Sequence, residues 1–214
     1  MNSLDDALDR LPLVAILRGL QPARAIEVGE MLVDAGFRII EVPLNSPQPL
    51  QSIERLANVL GGRAIIGAGT VLQSADISAV ARAGGRLIVM PHADGSLIRQ
   101  VDHLGLFCIP GVATPTEAFA ALEAGADALK MFPAEAMPPV VVKAWRAVIR
   151  PPVRLLPVGG ITPDGMAAYL EAGASGFGLG SALFKADLSL PTLAANAKAF
   201  VDAIGTISQR PPLP

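Results

Sequence analysis

Short apolar runs of strand length alternate with helix-length segments along almost the whole chain. The predicted strands cover residues 13–18, 38–44, 64–71, 87–91, 106–112, 128–133, 155–160 and 176–184. The helices predicted after them cover 22–35 and 47–60, or begin at 74, 94, 115, 138, 163 and about 190. A repeat of strand and helix folds as a parallel sheet with right-handed crossovers, so an α/β protein is predicted.

Eight strand-and-helix units in 214 residues predict a single domain over 1–214 that closes as a (β/α)8 TIM barrel. Four predicted helices end in Ala-Gly, at Gly36, Gly84, Gly125 and Gly173, as expected where glycine takes the left-handed conformation after a helix. A capping pattern at Ser3 predicts a short N-terminal helix over 4–9 that plugs the bottom of the barrel. The alternative fold, an open dinucleotide-binding sheet, would need a G-x-G-x-x-G motif after the first strand, and residues 17–21 do not supply one.

Composition excludes several classes of partner. Hydrophobic residues make up 51% of the chain and charged residues 17%, and we expect part of the apolar excess to cover a subunit interface. The net charge of -2 and the lack of a basic cluster argue against nucleic acid and anionic membranes. Because neither a signal peptide nor a membrane-spanning run is seen, a soluble cytoplasmic protein is expected. Two histidines without ligand spacing argue against a metal centre, and the single cysteine, Cys108, is interpreted as a buried apolar residue.

One lysine, Lys130, lies in the middle of the predicted strand 128–133. Strand alternation places it on the same face as Ala128 and Phe132. An ammonium group that leaves water without a partner costs several kcal/mol, so burial favours the neutral amine. A neutral amine can attack a carbonyl and form a Schiff base. The alternative is a lysine at a strand end that reaches solvent, and this stretch by itself does not distinguish the two.

Polar residues on three other strands are candidates to share an active site with Lys130, because the active sites of such barrels lie at the carboxyl ends of the strands. Glu41 is embedded in an apolar run, so we expect its pKa to be raised. Arg18 ends the first strand, and Ala68 and Thr70 are predicted to share the interior face of the third. This set would supply a nucleophilic amine, a general acid and base, a carboxylate clamp and a hydroxyl donor.

Glycine-rich segments follow the last two predicted strands. One contains Val158, Gly159 and Gly160, and the other ends in Gly180 and Ser181. Exposed backbone N–H groups at a helix start can bind a phosphate, and barrels commonly bind phosphate after strands 7 and 8. Each segment alone could equally be a tight turn, whereas the two together favour a phosphate site.

Together these motifs resemble the class I aldolases that cleave 2-keto-3-deoxy-6-phospho-sugar acids, and the resemblance covers nearly the whole chain. The matching segments are ILRG at 16–19, EVPLNS at 41–46, IGAGTV at 66–71, KMFP at 130–133, VGGITP at 158–163 and GLGS at 178–181. The resemblance implies a homotrimeric barrel without metal or cofactor that produces pyruvate and D-glyceraldehyde 3-phosphate. It also implies roles for individual residues: a Schiff base on Lys130, proton transfer by Glu41, binding of the substrate's carboxylate end by Arg18 and Thr70, and phosphate binding by Gly160, Gly180 and Ser181. Phe132 is interpreted as a wall of the pyruvate pocket.

Within that family the sequence is more similar to the phosphogalactonate branch than to the phosphogluconate branch. Val158 and Asn45 stand where phosphogluconate enzymes have a threonine and an arginine, so the carboxylate contact of that arginine cannot be transferred. The expected substrate is 2-dehydro-3-deoxy-6-phosphogalactonate. The alternatives are the phosphogluconate epimer, and 4-hydroxy-2-oxoglutarate cleavage or oxaloacetate decarboxylation by the same lysine.

Two further interpretations assign Lys130 no chemistry. In one, Lys130 and Glu41 form a buried structural ion pair with Arg18 at the rim, although such a pair is often no more stabilising than apolar residues of equal volume. In the other, the chain is a binding or sensing protein for phosphorylated sugars, for which the glycine-rich segments would suffice.

Overall fold

The computed structural model describes residues 3–208, in which nine strands form two parallel sheets. The strands are β1 (Leu13–Ile16), β2 (Ile39–Pro43), β3 (Ile65–Gly69), β4 (Leu87–Val89), β5 (Phe107–Ile109), β6 (Gly111–Val112), β7 (Ala128–Met131), β8 (Arg154–Pro157) and β9 (Phe177–Leu179). The larger sheet has the order β5-β4-β3-β2-β1-β9, and the smaller has β6-β7-β8. The predicted α/β class is confirmed. The predicted domain also includes 1–2 and 209–214, which lie outside the described residues.

Helices connect the strands, as the sequence pattern predicts. They are α1 (Leu4–Arg10), α2 (Ala25–Asp34), α3 (Pro49–Leu60), α4 (Ser74–Arg82), α5 (Gly95–His103), α6 (Pro115–Glu123), α7 (Pro139–Arg146), α8 (Met166–Glu171) and α9 (Leu190–Ser208). Short 3-10 turns occur at Pro22–Arg24, Ala134–Ala136 and Pro163–Gly165. Over the described part of the chain, every helix is too short or too polar to cross a membrane.

The N-terminal helix α1 covers one end of the strands. The Ser3 hydroxyl caps it by accepting from the Asp6 N–H at 3.0 Å. Its buried residues Leu4, Ala7 and Leu8 join an inner cluster that takes inward-facing residues from seven strands of both sheets: Val14, Ile39, Ile65, Leu87, Val89, Ile109, Ala128 and Leu156. The predicted helix and its position at the bottom of the sheet are confirmed.

A second, outer cluster packs the other face of the strands against the helices. Strand residues such as Ala15, Ile40 and Leu129 meet helix residues there. The four glycines predicted to end helices, Gly36, Gly84, Gly125 and Gly173, have φ angles of +112°, +80°, +103° and +104°. Only glycine takes this region without strain, so each Ala-Gly pair ends its helix as predicted.

Hydrogen bonds also connect the two sheets along both of their edges. Near β5 and β7, the Asp127 N–H donates to the Cys108 carbonyl at 3.0 Å. At the other edge the Ser175 N–H donates to the Leu155 carbonyl at 2.8 Å, and Val158 pairs with Gly178 as in parallel strands. The parallel sheet is therefore curled around the inner cluster.

Several element boundaries differ from the predictions. The predicted strand 106–112 is divided into β5 and β6 at Pro110, which has no N–H to donate. The predicted strand 176–184 ends at Leu179, because the Gly180 carbonyl accepts from the Leu183 and Phe184 N–H groups in a turn. The helix predicted from 47 begins two residues later, since Gln48 has a φ of +42°. Buried apolar residues continue past these strand ends, which is why the pattern overestimates strand length.

Candidate active site

A cavity of about 780 Å³ opens where the strands end. Each site residue named from the sequence lines it: Arg18, Glu41, Thr70, Lys130, Phe132, Val158, Gly159, Gly160, Gly180 and Ser181. These residues come from six separate parts of the chain, and the parallel arrangement brings them together because all strands end on one side.

Lys130 extends into the cavity from β7, which is paired with β6 and β8. The residue is only 7% exposed, and its Nζ lies 4.5 Å from the centroid of the Phe132 ring. Burial lowers the pKa of the Lys130 amine, the Glu41 carboxylate opposes this shift, and the Arg18 guanidinium adds to it. The strand position therefore favours the neutral amine.

Glu41 extends into the same cavity from β2 and is 2% exposed. Its Oε2 is buried without a hydrogen-bond partner. Burial raises the pKa of Glu41 from 4.5 to about 7, although the positive charges of Lys130 and Arg18 act in the lowering direction. A carboxyl group with a pKa near neutrality can both take and return a proton.

Lys130 and Glu41 face the same cavity without pairing. Within residues 3–208, the ion pairs involve other side chains, and none joins this amine to this carboxylate. The interpretation of the two residues as a structural ion pair is therefore wrong. The buried Lys130 amine and the buried Glu41 carboxyl group both remain available to a ligand that enters the cavity.

Arg18 lies at the rim and is held by two partners. Its Nη1 donates to Asn45 Oδ1 at 2.5 Å, and its Nη2 donates to Thr70 Oγ1 at 3.4 Å. Thr70 has a φ of +56°, a strained conformation for a β-branched residue that turns it out of strand alternation. Asn45, which the sequence leaves without a role, thus orients the guanidinium.

The predicted orientation of Ala68 is wrong. Ala68 belongs to the outer cluster beneath the helices, whereas Ile65 belongs to the inner cluster. The interior face of β3 is therefore made by Ile65, Gly67 and Gly69. Thr70 reaches the cavity because its backbone turns at the strand end, not because it shares a face with Ala68.

The glycine-rich segments form another part of the cavity wall. Gly159 and Gly160 have φ angles of +114° and +62°, which permit a tight turn after Val158. A side chain at Gly180 would meet no atom within 4 Å, so its backbone faces open space beside Ser181. The backbone at Gly180 is therefore accessible to an anionic ligand.

Two charged residues of this wall, Glu135 and Lys185, were not assigned to the site from the sequence. Glu135 lies in the 3-10 turn after β7, and its Oε2 is 2.2 Å from where a Cβ on Gly159 would be. Lys185, which is exposed, lines the mouth of the cavity beyond Ser181. Both follow strands by a few residues, so the rule that strand-end loops build the site could have identified them.

Metal ligands are not grouped in the described part of the chain. Between residues 3 and 208, no group of three His, Cys, Asp or Glu side chains could hold a metal ion. Cys108 is buried, and burial raises the pKa of its thiol to about 12, so the thiol stays protonated.

Known proteins resemble this chain over most of its length. The family model "Aldolase: KDPG and KHG aldolase" matches residues 4–197, a range that includes every residue lining the cavity. The 2-dehydro-3-deoxy-6-phosphogalactonate aldolase of Escherichia coli (strain K12) is 47% identical over 194 residues, 91% of this chain and 95% of that protein. The 2-dehydro-3-deoxy-phosphogluconate aldolase of Zymomonas mobilis is 33% identical over 172 residues, 80% of this chain and 81% of that protein.

A solved structure described as native KDPGal superposes with a TM-score of 0.92 at 46% identity, covering 94% of this chain and 98% of that chain. The fold, the cavity that contains a buried lysine and the sequence match point to the same group of enzymes. The chain belongs to the KDPG and KHG aldolase family.

Proposed function

We propose that the protein is a class I aldolase that cleaves 2-dehydro-3-deoxy-6-phosphogalactonate to pyruvate and D-glyceraldehyde 3-phosphate. The observation that carries the proposal is the buried, unpaired Lys130 amine, whose lowered pKa suits it to Schiff-base formation. The identity of 47% to an aldolase named for this substrate supports the choice of substrate.

In the first half of the reaction, the Lys130 Nζ attacks the C2 ketone of the substrate. Proton transfers and loss of water convert the adduct to an iminium, which has a C=N double bond and a positive charge. Glu41 then removes the C4 hydroxyl proton, directly or through one water. The C3–C4 bond breaks, its electron pair moves toward the iminium to form an enamine, and C4 leaves as the aldehyde of glyceraldehyde 3-phosphate.

In the second half, Glu41 returns a proton to C3 of the enamine and regenerates the iminium. Water hydrolyses that iminium, which releases pyruvate and the free amine of Lys130. The same carboxyl group takes up and then gives back one proton in each cycle, and a pKa of about 7 suits both steps at neutral pH. Lys130 and Glu41 are thus proposed as the catalytic residues.

The remaining cavity residues are proposed to bind the substrate. Arg18, held by Asn45, and Thr70 would hold the carboxylate next to the reacting ketone. The Phe132 ring would form a wall of the pyruvate pocket. Phosphate would bind across the cavity to the glycine-rich wall, which consists of Gly159, Gly160, Gly180 and Ser181.

A second candidate function is cleavage of an unphosphorylated keto acid, such as 4-hydroxy-2-oxoglutarate, by the same mechanism. Glu135 favours it, because its carboxylate lies against the Gly159 turn and would oppose a phosphate there. Lys185 at the cavity mouth would favour phosphate. The ratio of kcat/KM for phosphorylated and unphosphorylated substrates decides between the two, and the phosphogluconate epimer is compared in the same assay.

The two sheets are proposed to close as one (β/α)8 barrel in a single domain. Support comes from the hydrogen bonds that connect their edges and from the inner cluster to which both sheets contribute. We also propose that the enzyme is a cytoplasmic homotrimer of carbohydrate metabolism, as its resemblance to phospho-sugar-acid aldolases implies.

The proposed mechanism is tested by reduction with borohydride in the presence of pyruvate. Reduction of the iminium should attach a three-carbon adduct to Lys130 and inactivate the enzyme, and mass spectrometry of peptides locates the adduct. Lys130→Arg keeps a long basic side chain but removes the nucleophilic amine, so it should fold and form no adduct. Lys143, which is exposed on α7, is the internal control. An adduct on Lys143 or Lys185, or none, would contradict the class I mechanism.

A further inference from the structure

Gly69 at the end of β3 leaves space that the Glu41 carboxylate occupies. A Cβ built on Gly69 would lie 2.0 Å from Glu41 Oε2, 2.3 Å from its Cδ and 2.4 Å from its Oε1. Real Cβ atoms do not approach other atoms this closely. Any side chain at position 69 would therefore displace the carboxylate.

The backbone of Gly69 does not itself require glycine. Its φ lies outside the left-handed region, and the residue pairs with Pro43 in an ordinary parallel register. Gly67, two residues earlier, differs because a Cβ there would lie 2.0 Å from the Leu87 carbonyl oxygen, which belongs to the backbone of β4. Gly67 is thus needed to pack two strands, whereas Gly69 is needed to accommodate one side chain.

The position of the carboxylate determines its electrostatic surroundings. Lys130 on β7 and Arg18 after β1 are the charged groups that act on Glu41, and Glu135 and Lys185 line the outer part of the same cavity. A methyl group at position 69 would push the carboxylate away from β3 and into the cavity, toward these positive charges. An ion pair with Lys130 would then become accessible, and ion pairing favours the charged forms of both groups.

We propose that Gly69 is a positioning residue whose missing side chain lets Glu41 lie against β3, apart from Lys130, so that base and nucleophile stay unpaired. This inference rests on the proposed aldolase function for its catalytic consequence. Its geometric part concerns the carboxylate alone and is measurable without substrate.

The test compares Gly69→Ala with the wild type in kcat/KM against pH. The limb assigned to Glu41 should move to lower pH by about one unit or more, and kcat should fall roughly 10- to 100-fold with a smaller change in KM. Difference infrared spectroscopy of the carboxyl group without substrate should show the same downward shift. Gly205→Ala is the matched control, since a Cβ there meets no atom within 4 Å, and it should leave both profiles unchanged.

The double variant Gly69→Ala/Glu41→Asp separates positioning from a general need for glycine. Aspartate is one methylene shorter, so the added methyl should have little further effect on Tm or on the carboxyl titration when Glu41→Asp is already present. If Gly69→Ala folds poorly and the double variant folds no better, glycine is required for another reason and the inference fails. An unmoved carboxyl titration in a folded Gly69→Ala also overturns it. An inactive wild type refutes the proposed function, and the infrared titration then decides the positioning question alone.

Discussion

At the residue scale, Glu41 is the group whose environment most determines the chemistry. Glu41→Gln keeps the size of the side chain but cannot exchange a proton, so kcat should fall about 10²- to 10⁴-fold. In the wild type, kcat/KM should decrease as pH falls below about 7, because Glu41 must be ionised to accept the C4 proton. That limb should disappear in the variant.

The measurement is steady-state kinetics across pH for both proteins, with borohydride trapping at Lys130 as the control that the amine still reacts. Trapping should persist in Glu41→Gln, because the amine and not the carboxyl forms the covalent bond. An unchanged kcat would show that another group is the base.

Val158 is the residue that we expect to influence the choice between C4 epimers. It is buried at the cavity wall next to the Gly159 turn and offers the substrate no hydrogen bond. An apolar wall discriminates by only about 1–3 kcal/mol, so the galactonate epimer should be preferred moderately. Val158→Thr adds a hydroxyl and should shift the kcat/KM ratio toward the gluconate epimer, by roughly ten- to a hundredfold where the hydroxyl is well placed.

Both 2-keto-3-deoxy-6-phospho acids are assayed on the wild type and on Val158→Thr. A wild type that prefers the gluconate epimer, or a ratio that the substitution leaves unmoved, would mean that Val158 does not contact C4. The aldolase mechanism would be unaffected by that result.

At the scale of elements, α1 is the segment whose packing supports the site from a distance. Leu8 is 1% exposed in the inner cluster, and Arg154 at the start of β8 pairs with Asp5 and Asp9 on α1 at 2.9 and 2.7 Å. The surface ion pairs contribute little, typically under about 1 kcal/mol each. Apolar packing therefore holds α1 in place.

Leu8→Ala removes buried apolar volume and should destabilise the protein by about 2–5 kcal/mol. Leu104→Ala is the matched control, because Leu104 is 49% exposed and its truncation should change the free energy of unfolding by less than about 1 kcal/mol. Urea unfolding measures both variants. Equal stability of the two would show that α1 does not contribute to the core.

At the scale of the whole molecule, exposed apolar surface is consistent with the proposed trimer. Among the described residues, large hydrophobic side chains that are more than a third exposed are Leu50, Val59, Leu72, Leu104, Phe119, Val140 and Val148. Such side chains are common singly on monomers, so their presence alone does not identify an interface.

Sedimentation equilibrium of the purified protein should give a mass of three times the 22.1 kDa chain. The measured mass should stay the same when the protein is diluted to the concentrations used for kinetics, because a stable interface of standard size does not dissociate at those concentrations. A mass of one chain at all concentrations would contradict the proposed trimer.

The sequence by itself determined the order of elements, the ends of four helices, the strand face that Lys130 shares with Phe132, and ten of the residues that line the cavity. These features follow from local rules. Apolar periodicity identifies strands and helices, glycine after alanine ends a helix, and parallel strands all end on one side. Each rule needs only a few neighbouring residues, so a single sequence suffices.

Only the tertiary structure decided which residues of different elements contact one another. It showed that Glu41 and Lys130 face one cavity unpaired, that Gly69 and not Ala68 lies on the interior face of β3, and that Asn45 orients Arg18. It also placed Glu135 against the Gly159 turn. These relations join residues far apart in the chain and depend on distances of a few ångströms, which strand register and backbone turns such as the one at Thr70 determine and which local periodicity does not encode.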